Sequence, residues 1–160
     1  MFSKQLTPDQ AWQKIKHYCG YQERSHHEVR EKLFGFRLRK TDVDLLISRL
    51  IEENYLNEAR FAVQFASGHF RLKKWGRIKI DYELKQKKIS PANIKSALKE
   101  IDEQAYRQVL WKLAQTKWLA LKKEQYMHRQ VKTTQYLLQK GYEPALIKEA
   151  IEQIRYLAAD

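Results

Sequence analysis

Apolar residues recur along most of the chain at a spacing that places them on one face of an α-helix. Val43, Leu46, Ile47 and Leu50 follow the pattern i, i+3, i+4, i+7, and two later segments repeat it. No stretch alternates apolar and polar residues for long enough to predict a strand. The pattern therefore predicts an all-α chain, with helices over residues 8–19, 26–35, 40–53, 57–72, 75–88, 91–100, 103–123, 125–140 and 144–157.

Three prolines and two glycines indicate helix boundaries. Thr7-Pro8-Asp9-Gln10 has the form of a capping box, and Pro91 and Pro144 also stand where a helix would begin. A proline is tolerated at the first helical position because its missing N–H would have no partner inside the helix. Gly35 and Gly141 lie near predicted helix ends, where glycine can adopt the left-handed conformation.

The apolar pattern repeats with a period of about fifty residues. Leu33, Leu84 and Leu137 each stand ten residues before the first apolar residue of an amphipathic helix pattern, and they are separated by 51 and then 53 residues. An apolar residue follows each leucine after five positions, namely Leu38, Ile89 and Tyr142. We therefore expect an elongated array of three tandem three-helix repeats over residues 1–56, 57–101 and 102–160.

Composition excludes several classes of protein. With 43% hydrophobic residues in 160, the chain can bury a core, and it has no apolar run long enough to span a membrane. The N-terminal residues lack the apolar segment of a signal peptide. Cys19 is the one cysteine, so no disulfide can form within the chain. These features predict a cytoplasmic protein without membrane contact, and we expect it to be a monomer.

The net charge of +12 points to a polyanionic partner and is unevenly distributed. The three predicted repeats carry +2, +7 and +3 in chain order. The second repeat contains a basic strip that could neutralise phosphates. The strip comprises Arg71, Lys73, Lys74, Arg77, Lys79, Lys85, Lys87 and Lys88. Trp75 and Tyr82 are candidates for stacking on bases. A solvated helix face with both aromatic residues in the core is the alternative interpretation. A second, weaker cluster comprises Lys122, Lys123, Arg129 and Lys132.

No arrangement of residues indicates catalysis or metal binding. Cys19 and His17 are two positions apart, which places them on different faces of a helix. The histidines near Cys19 lack the spacing of a metal site, and no glycine-rich phosphate loop is present. We therefore predict a protein that is not an enzyme and that uses neither a metal nor a cofactor.

Several segments resemble the RecX family, the regulatory proteins of the RecA recombinase. The most specific resemblance lies in residues 55–62 (YLNEARFA), followed by Lys74-Trp75-Gly76. Residues 25–33 (SHHEVREKL) are similar to the opening motif of the family, and residues 136–142 (YLLQKGY) to its third-repeat motif. The resemblance covers roughly residues 8–157. Residues 87–89 (KKI) depart from the usual Lys-Gly-Ile turn of the family.

The resemblance implies a function that composition does not supply. Members of the family bind in the groove of the RecA–DNA filament, inhibit the ATPase, strand-exchange and coprotease activities of RecA, and bind single- and double-stranded DNA. The segment Tyr55, Leu56, Arg60 and Phe61 is then a repeat-junction motif. We expect Leu56 and Phe61 to pack between repeats, and Arg60 either to pair with Glu53 or Glu58 or to bind a partner.

Two alternatives remain open at this point. The basic strip could make the chain a general DNA-binding protein that acts without RecA. The repeats could also form a scaffold that binds an acidic protein without nucleic acid.

Overall fold

The computed structural model describes residues 4–159, which form nine α-helices and no strand. The all-α prediction is therefore confirmed, and each predicted boundary lies within three residues of the observed one. The helices are α1 (Pro8–Tyr21), α2 (His26–Gly35), α3 (Lys40–Glu52), α4 (Glu58–Lys73), α5 (Arg77–Gln86), α6 (Pro91–Lys99), α7 (Glu103–Ala120), α8 (Tyr126–Lys140) and α9 (Pro144–Ala159).

The helix starts follow the capping pattern of the sequence. The Gln10 N–H donates to Thr7 Oγ1 at 3.2 Å and the Thr7 N–H donates to Gln10 Oε1 at 3.0 Å, which completes the capping box. Ser25 and Asp102 cap α2 and α7 in the same way, by accepting from backbone N–H groups three residues later. Such caps satisfy donors that the first helical turn leaves unpaired.

The chain divides into two compact units, and the division passes through α4, α5 and α6. Unit 1 contains the residues up to Gln64 together with Leu84–Ser96, and unit 2 contains Phe65–Glu83 together with the residues from Ala97 onward. The division of the chain into three repeats stays a prediction.

In unit 1, α1, α2 and α3 pack on one another around an apolar core. Trp12, Ile15, Leu33 and Leu50 are at most 4% exposed, and Cys19 lies in the same cluster. Leu56 joins this cluster at 1% exposure, so the junction leucine is a core residue. These residues occupy the apolar positions of the sequence pattern, which explains why the pattern located the helices.

Two further residues of the junction motif have defined surroundings in unit 1. Phe61 is buried, and its packing between repeats stays a prediction. The expectation that Arg60 pairs with Glu53 or Glu58 is wrong. The Arg60 guanidinium binds Glu23 at 2.5 Å and also donates to the side chain and the backbone carbonyl of Asn54. Glu23 lies 37 residues before Arg60, in the turn after α1, so a search for nearby partners in the sequence does not find it.

In unit 2, α7, α8 and α9 pack on one another. Tyr106 and Tyr142 are fully buried, with their ring centroids 5.2 Å apart. The Tyr142 hydroxyl donates to the Lys74 carbonyl at 2.8 Å, which satisfies this buried polar group.

Equivalent turns recur at the spacing of the sequence repeat. Arg37, Lys88 and Gly141 each stand four residues after a repeat leucine, and each has a positive φ, of 64°, 62° and 98°. The expectation for Gly141 is confirmed, whereas Gly35 is the last residue of α2 and the left-handed position of that turn belongs to Arg37. Lys88 is the residue at which the KKI segment departs from the family pattern, so a lysine adopts a conformation that favours glycine.

Two glycines allow the backbone of α5 to approach the α8–α9 turn within unit 2. A Cβ on Gly76 would lie 2.3 Å from the carbonyl atoms of Gly141, and a Cβ on Gly141 would lie 2.3 Å from Cβ of Lys79. The Gly76 and Ile78 N–H groups donate to the carbonyls of Lys140 and Gly141 at 2.7 and 2.9 Å. The first turn of α5 thus uses its unpaired donors to cap the end of α8.

Candidate nucleic-acid interface

Basic residues cluster at the C-terminal end of α4 in unit 2. Arg71 and Lys73 lie in the last turn of this helix, where positive side chains complement the helix dipole. Lys74 ends the helix in a left-handed conformation with a φ of 58°. All three side chains are exposed, and none forms an ion pair with a carboxylate in the described part of the chain. Their charges are therefore available to an anionic partner.

An aromatic stack lies directly beside these cations. Trp75 is half-buried, with its ring centroid 4.5 Å from that of His69, and His69 in turn stacks on Phe65 at 3.9 Å. The ammonium groups of Lys73 and Lys79 lie 5.3 and 4.7 Å from the centre of the Trp75 ring. Cation–π contacts hold both lysines near the indole without neutralising them.

A groove of about 470 Å³ continues from Lys74 to α7 and α8. Lys112 and Lys117 of α7 line it together with Lys74, and the residues that line it include no carboxylate. Its other lining residues are Val109, Leu113, Thr116, Ala120 and Tyr136. The α7 residues in this set recur at helical spacing and so share one face of that helix.

These observations define the unit-2 basic surface, a name used below for Arg71, Lys73, Lys74, Lys79, Lys112 and Lys117. The sequence analysis found four of the six and missed Lys112 and Lys117, which stand apart from any dense run of basic residues. The signal that would have located them is the helical spacing of their neighbours in α7. Tyr82 of α5 is 59% exposed, and the prediction that it contacts bases stays untested.

Arg77 belongs to the basic strip of the sequence but has a different environment. Its guanidinium bonds to Glu103 at 2.8 Å and to Glu143 at 2.8 Å, and it stacks 3.9 Å from the centre of the Tyr106 ring. The Tyr106 hydroxyl donates to Glu143 and accepts from the Arg77 N–H. Two carboxylates neutralise the charge, and only 23% of the side chain is exposed, so we do not include Arg77 in the proposed interface.

The remaining residues of the strip lie in unit 1. Lys87 pairs with Glu28 at 3.3 Å, which reduces its value as a phosphate contact. Lys85 and Lys88 are exposed, and Lys88 occupies the left-handed turn after α5.

The weaker cluster of the third predicted repeat is also mixed. Lys122 and Lys123 are exposed in the turn after α7. Lys132 pairs with Glu124 at 2.7 Å, and Arg129 stacks 4.1 Å from the centre of the Trp118 ring while donating to the Trp118 carbonyl. Lys122 and Lys123 therefore remain candidates for contact, whereas Lys132 and Arg129 stabilise the helices around them.

The groups with potential chemical reactivity lie in structural positions. Burial raises the pKa of the Cys19 thiol to about 11, so it is protonated at neutral pH and weakly nucleophilic. Burial also lowers the pKa of His26. Burial opposes ionisation of Glu58, but hydrogen bonds from Asn93 and Ser90 outweigh this and hold the pKa of that carboxyl below its usual value. Within residues 4–159 no group of His, Cys, Asp and Glu is arranged to hold a metal ion.

No helix in the part of the chain that the structure describes combines the length and the apolar character needed to cross a bilayer.

Comparison with known protein families finds a match in each of two segments of the chain. Residues 57–98 match the second three-helix domain of RecX, and residues 104–151 match its third three-helix domain. Together these two matches cover more than half of the chain.

Relatives and solved structures agree with the family match. The chain is 31% identical over 142 residues to the Regulatory protein RecX of Prosthecochloris aestuarii, covering 86% of this chain and 88% of that protein. It is 26% identical over 148 residues to the Regulatory protein RecX of Oceanobacillus iheyensis, covering 92% of this chain and 54% of that protein. The chain thus spans about half the length of this second relative.

The crystal structure of RecX from Lactobacillus salivarius has the same fold. It superposes with a TM-score of 0.86 at 21% identity, covering 93% of this chain and 97% of that one. The relatives are named as regulatory proteins, and the fold is the helical-repeat fold of this structure. The chain therefore belongs to the RecX family.

Proposed function

We propose that this chain regulates the RecA recombinase by binding the RecA–DNA filament. It inhibits the ATPase, strand-exchange and coprotease activities of RecA and thereby modulates recombinational DNA repair. The protein acts by binding and not by catalysis, without a metal or cofactor, as a monomer in the cytoplasm. Family membership and the name of the relatives, regulatory protein, support this proposal.

The unit-2 basic surface is the observation that carries the proposal. Its cations surround a half-buried indole and edge a groove, and no described carboxylate pairs with Arg71, Lys73 or Lys74. Arg77 shows that this chain does neutralise a cation where the fold requires it. Positive charge left unpaired beside an aromatic ring is typical of nucleic-acid contacts. DNA phosphates or an acidic surface of RecA would supply the complementary charge.

The proposal predicts a strong dependence on salt. Six phosphate contacts, one for each cation of the unit-2 basic surface, would weaken binding roughly a thousandfold between 50 and 200 mM salt. A surface that made apolar contacts alone would show almost no such dependence.

The experiment that tests the proposal is a titration of this protein into preformed RecA filaments. The DNA-dependent ATPase of RecA should slow at or below stoichiometric amounts of the added protein. An unchanged rate with a folded sample would contradict regulation of the filament.

DNA binding without RecA is the second candidate, and the exposed cations around Trp75 favour it equally. A mobility shift with single-stranded DNA at about 50 mM salt, combined with no effect on RecA, would support this candidate. If the protein shows no mobility shift and has no effect on RecA, the remaining candidate is a helical scaffold that binds an acidic protein.

A further inference from the structure

A second basic groove lies in unit 1, and no residue of the basic strip lines it. It has a volume of about 500 Å³ and runs along one face of α1 towards the end of α2. Its lining contains four basic residues, Lys14, His17, Arg24 and Lys32. It also contains three aromatic residues, Tyr18, Tyr21 and Phe36, and no carboxylate.

Two of the cations lie over aromatic rings that line this groove. The carbon of the Arg24 guanidinium lies 3.7 Å from the centre of the Tyr18 ring, and Arg24 Nε donates to the Tyr18 carbonyl at 3.0 Å. Lys32 Nζ lies 5.2 Å from the same ring and 5.9 Å from that of Phe36. Stacking orients a guanidinium, and Arg24 makes no ion pair with a described carboxylate, so its remaining N–H groups can bind an anion.

The absence of acidic residues from this groove contrasts with the rest of unit 1. Several basic side chains elsewhere in the unit are paired, namely in Arg30–Asp44, Arg49–Glu53 and Arg60–Glu23. Lys14 and Lys32 are exposed and form no ion pair with a described carboxylate. The small net charge of the first predicted repeat therefore hides a local excess of positive charge.

Tyr21 gives the groove a second property. This residue ends α1 beside the cations with 78% of its surface exposed. Burying a large aromatic ring is favourable, and a flat exposed ring next to positive charges suits a base that carries phosphates on either side. An acidic peptide would use the cations but would have no need of the exposed ring.

We propose that this groove binds single-stranded nucleic acid. A base stacks on Tyr21, and the adjoining phosphates contact Lys14, Arg24 and Lys32. A volume of about 500 Å³ is in the range of pockets that take one small molecule, which suits a nucleotide. The inference rests on the DNA binding considered above and assigns to it a separate site in unit 1, which needs neither RecA nor the unit-2 basic surface.

Photo-crosslinking locates the contact directly. The full-length protein is irradiated with a single-stranded oligonucleotide that carries 5-iodouracil, and the modified residue is identified by mass spectrometry. We expect crosslinks at Tyr21 or Tyr18. Crosslinks confined to residues of unit 2, or none at all, would overturn the proposal.

Fluorescence anisotropy with a labelled oligonucleotide, without RecA, measures the energetic role of the ring. Tyr21→Ala should weaken binding about tenfold, since stacking of one base commonly contributes that much. Tyr21→Phe retains the ring and should bind within twofold of the unmodified protein. Tyr156→Ala is the matched control, because Tyr156 is an equally exposed tyrosine of α9 that lies in unit 2.

The charge contribution is tested with Lys14→Glu/Lys32→Glu. This variant should reduce the slope of log affinity against log salt by about two, one for each phosphate contact that is lost. If it weakens binding while Tyr21→Ala does not, the groove holds an anion without a stacked base, and the proposal is wrong. These measurements contain no RecA, so failure of the regulatory function leaves them interpretable.

Discussion

Arg77 and Lys79 lie two residues apart at the start of α5, carry the same charge and have opposite surroundings. Glu103 and Glu143 bind the guanidinium of Arg77, and the ring of Tyr106 covers it. The ammonium group of Lys79 lies against Trp75, with no described carboxylate bonded to it. One cation stabilises the fold and the other remains available to a partner. Density of charge along the sequence does not distinguish these two roles.

Arg77, Glu103, Glu143 and Arg107 form the Arg77 cluster, and the pKa values of Arg77 and Glu103 express the same difference. Burial opposes the charge on Arg77, but Glu103 and Glu143 outweigh it and raise the pKa of the guanidinium. The hydrogen bonds from Arg77 and Arg107 lower the pKa of Glu103. The charges in this cluster thus stabilise one another and not an external ligand.

The largest expected effect concerns the backbone contact that positions Arg77. Gly76→Ala would place a Cβ 2.3 Å from the Gly141 carbonyl, between two segments of backbone that have little freedom to move. We expect the free energy of unfolding to fall by about 3 kcal/mol or more, as measured by urea denaturation. Gly20→Ala is the control: nothing lies within 4 Å of the added carbon, and alanine favours the helix. Equal stability of the two variants would contradict the close approach.

Replacing Arg77 tests its structural role directly. Arg77→Met removes the guanidinium that binds both Glu103 and Glu143 and should lower the free energy of unfolding by about 2–3 kcal/mol. Lys73→Met should change it by less than about 0.5 kcal/mol, since Lys73 is exposed. Among folded molecules, Lys73→Met should weaken binding to single-stranded DNA more than Arg77→Met does. A variant of Arg77 that is stable but binds DNA poorly would place this residue in the interface.

Lys88 separates the role of a backbone position from that of a side chain. Lys88→Gly removes the cost of a left-handed lysine and should raise the free energy of unfolding by up to about 1 kcal/mol. The greater conformational freedom of glycine in the unfolded chain offsets part of this gain. Lys85→Gly, within α5, should instead lower stability by about 1 kcal/mol. Thermal unfolding of both variants checks the difference, and destabilisation by Lys88→Gly would contradict it.

The smallest effect is the pH dependence of the Arg77 cluster. The folded-state pKa of Glu103 lies below its ordinary value of 4.5, so the ionised carboxylate stabilises the protein above that pH. This contribution is lost as the pH falls through the folded-state pKa. Glu103→Gln should therefore unfold earlier than the unmodified protein at about pH 7, and the two should converge once the pH has fallen below the folded-state pKa of Glu103. A constant difference across this range would exclude the ion pair as its cause.

Most of the fold could be predicted from the sequence because local signals determine it. The apolar spacing located nine helices within the described chain, and Thr7, Pro8 and Gln10 gave the start of the first. The repeat offset also placed Arg37, Lys88 and Gly141 at equivalent positions. It did not reveal that non-glycine residues adopt the left-handed conformation there.

The candidate site could be predicted only in part because its geometry depends on distant residues. The partners of Arg77 lie 26 and 66 residues away, so its neutralisation is invisible in the local sequence. Lys112 and Lys117 reach the groove at Lys74 through the packing of α7. The unit-1 groove was missed because Glu23, Glu28 and Glu31 stand among its basic residues in the sequence but do not line it.

The central claim is that the unit-2 basic surface mediates regulation of RecA. Its most direct test compares two triple variants of equal charge change, Lys73→Glu/Lys79→Glu/Lys112→Glu and Lys95→Glu/Lys99→Glu/Lys148→Glu, in the RecA filament ATPase titration. The second set lies outside the surface, and its three side chains are exposed. We predict that the first variant requires at least a tenfold higher concentration to reach the same inhibition. The second variant should inhibit like the unmodified protein. An equal loss of inhibition in both variants would mean that the effect depends on net charge alone. Full inhibition by the first variant would contradict the account.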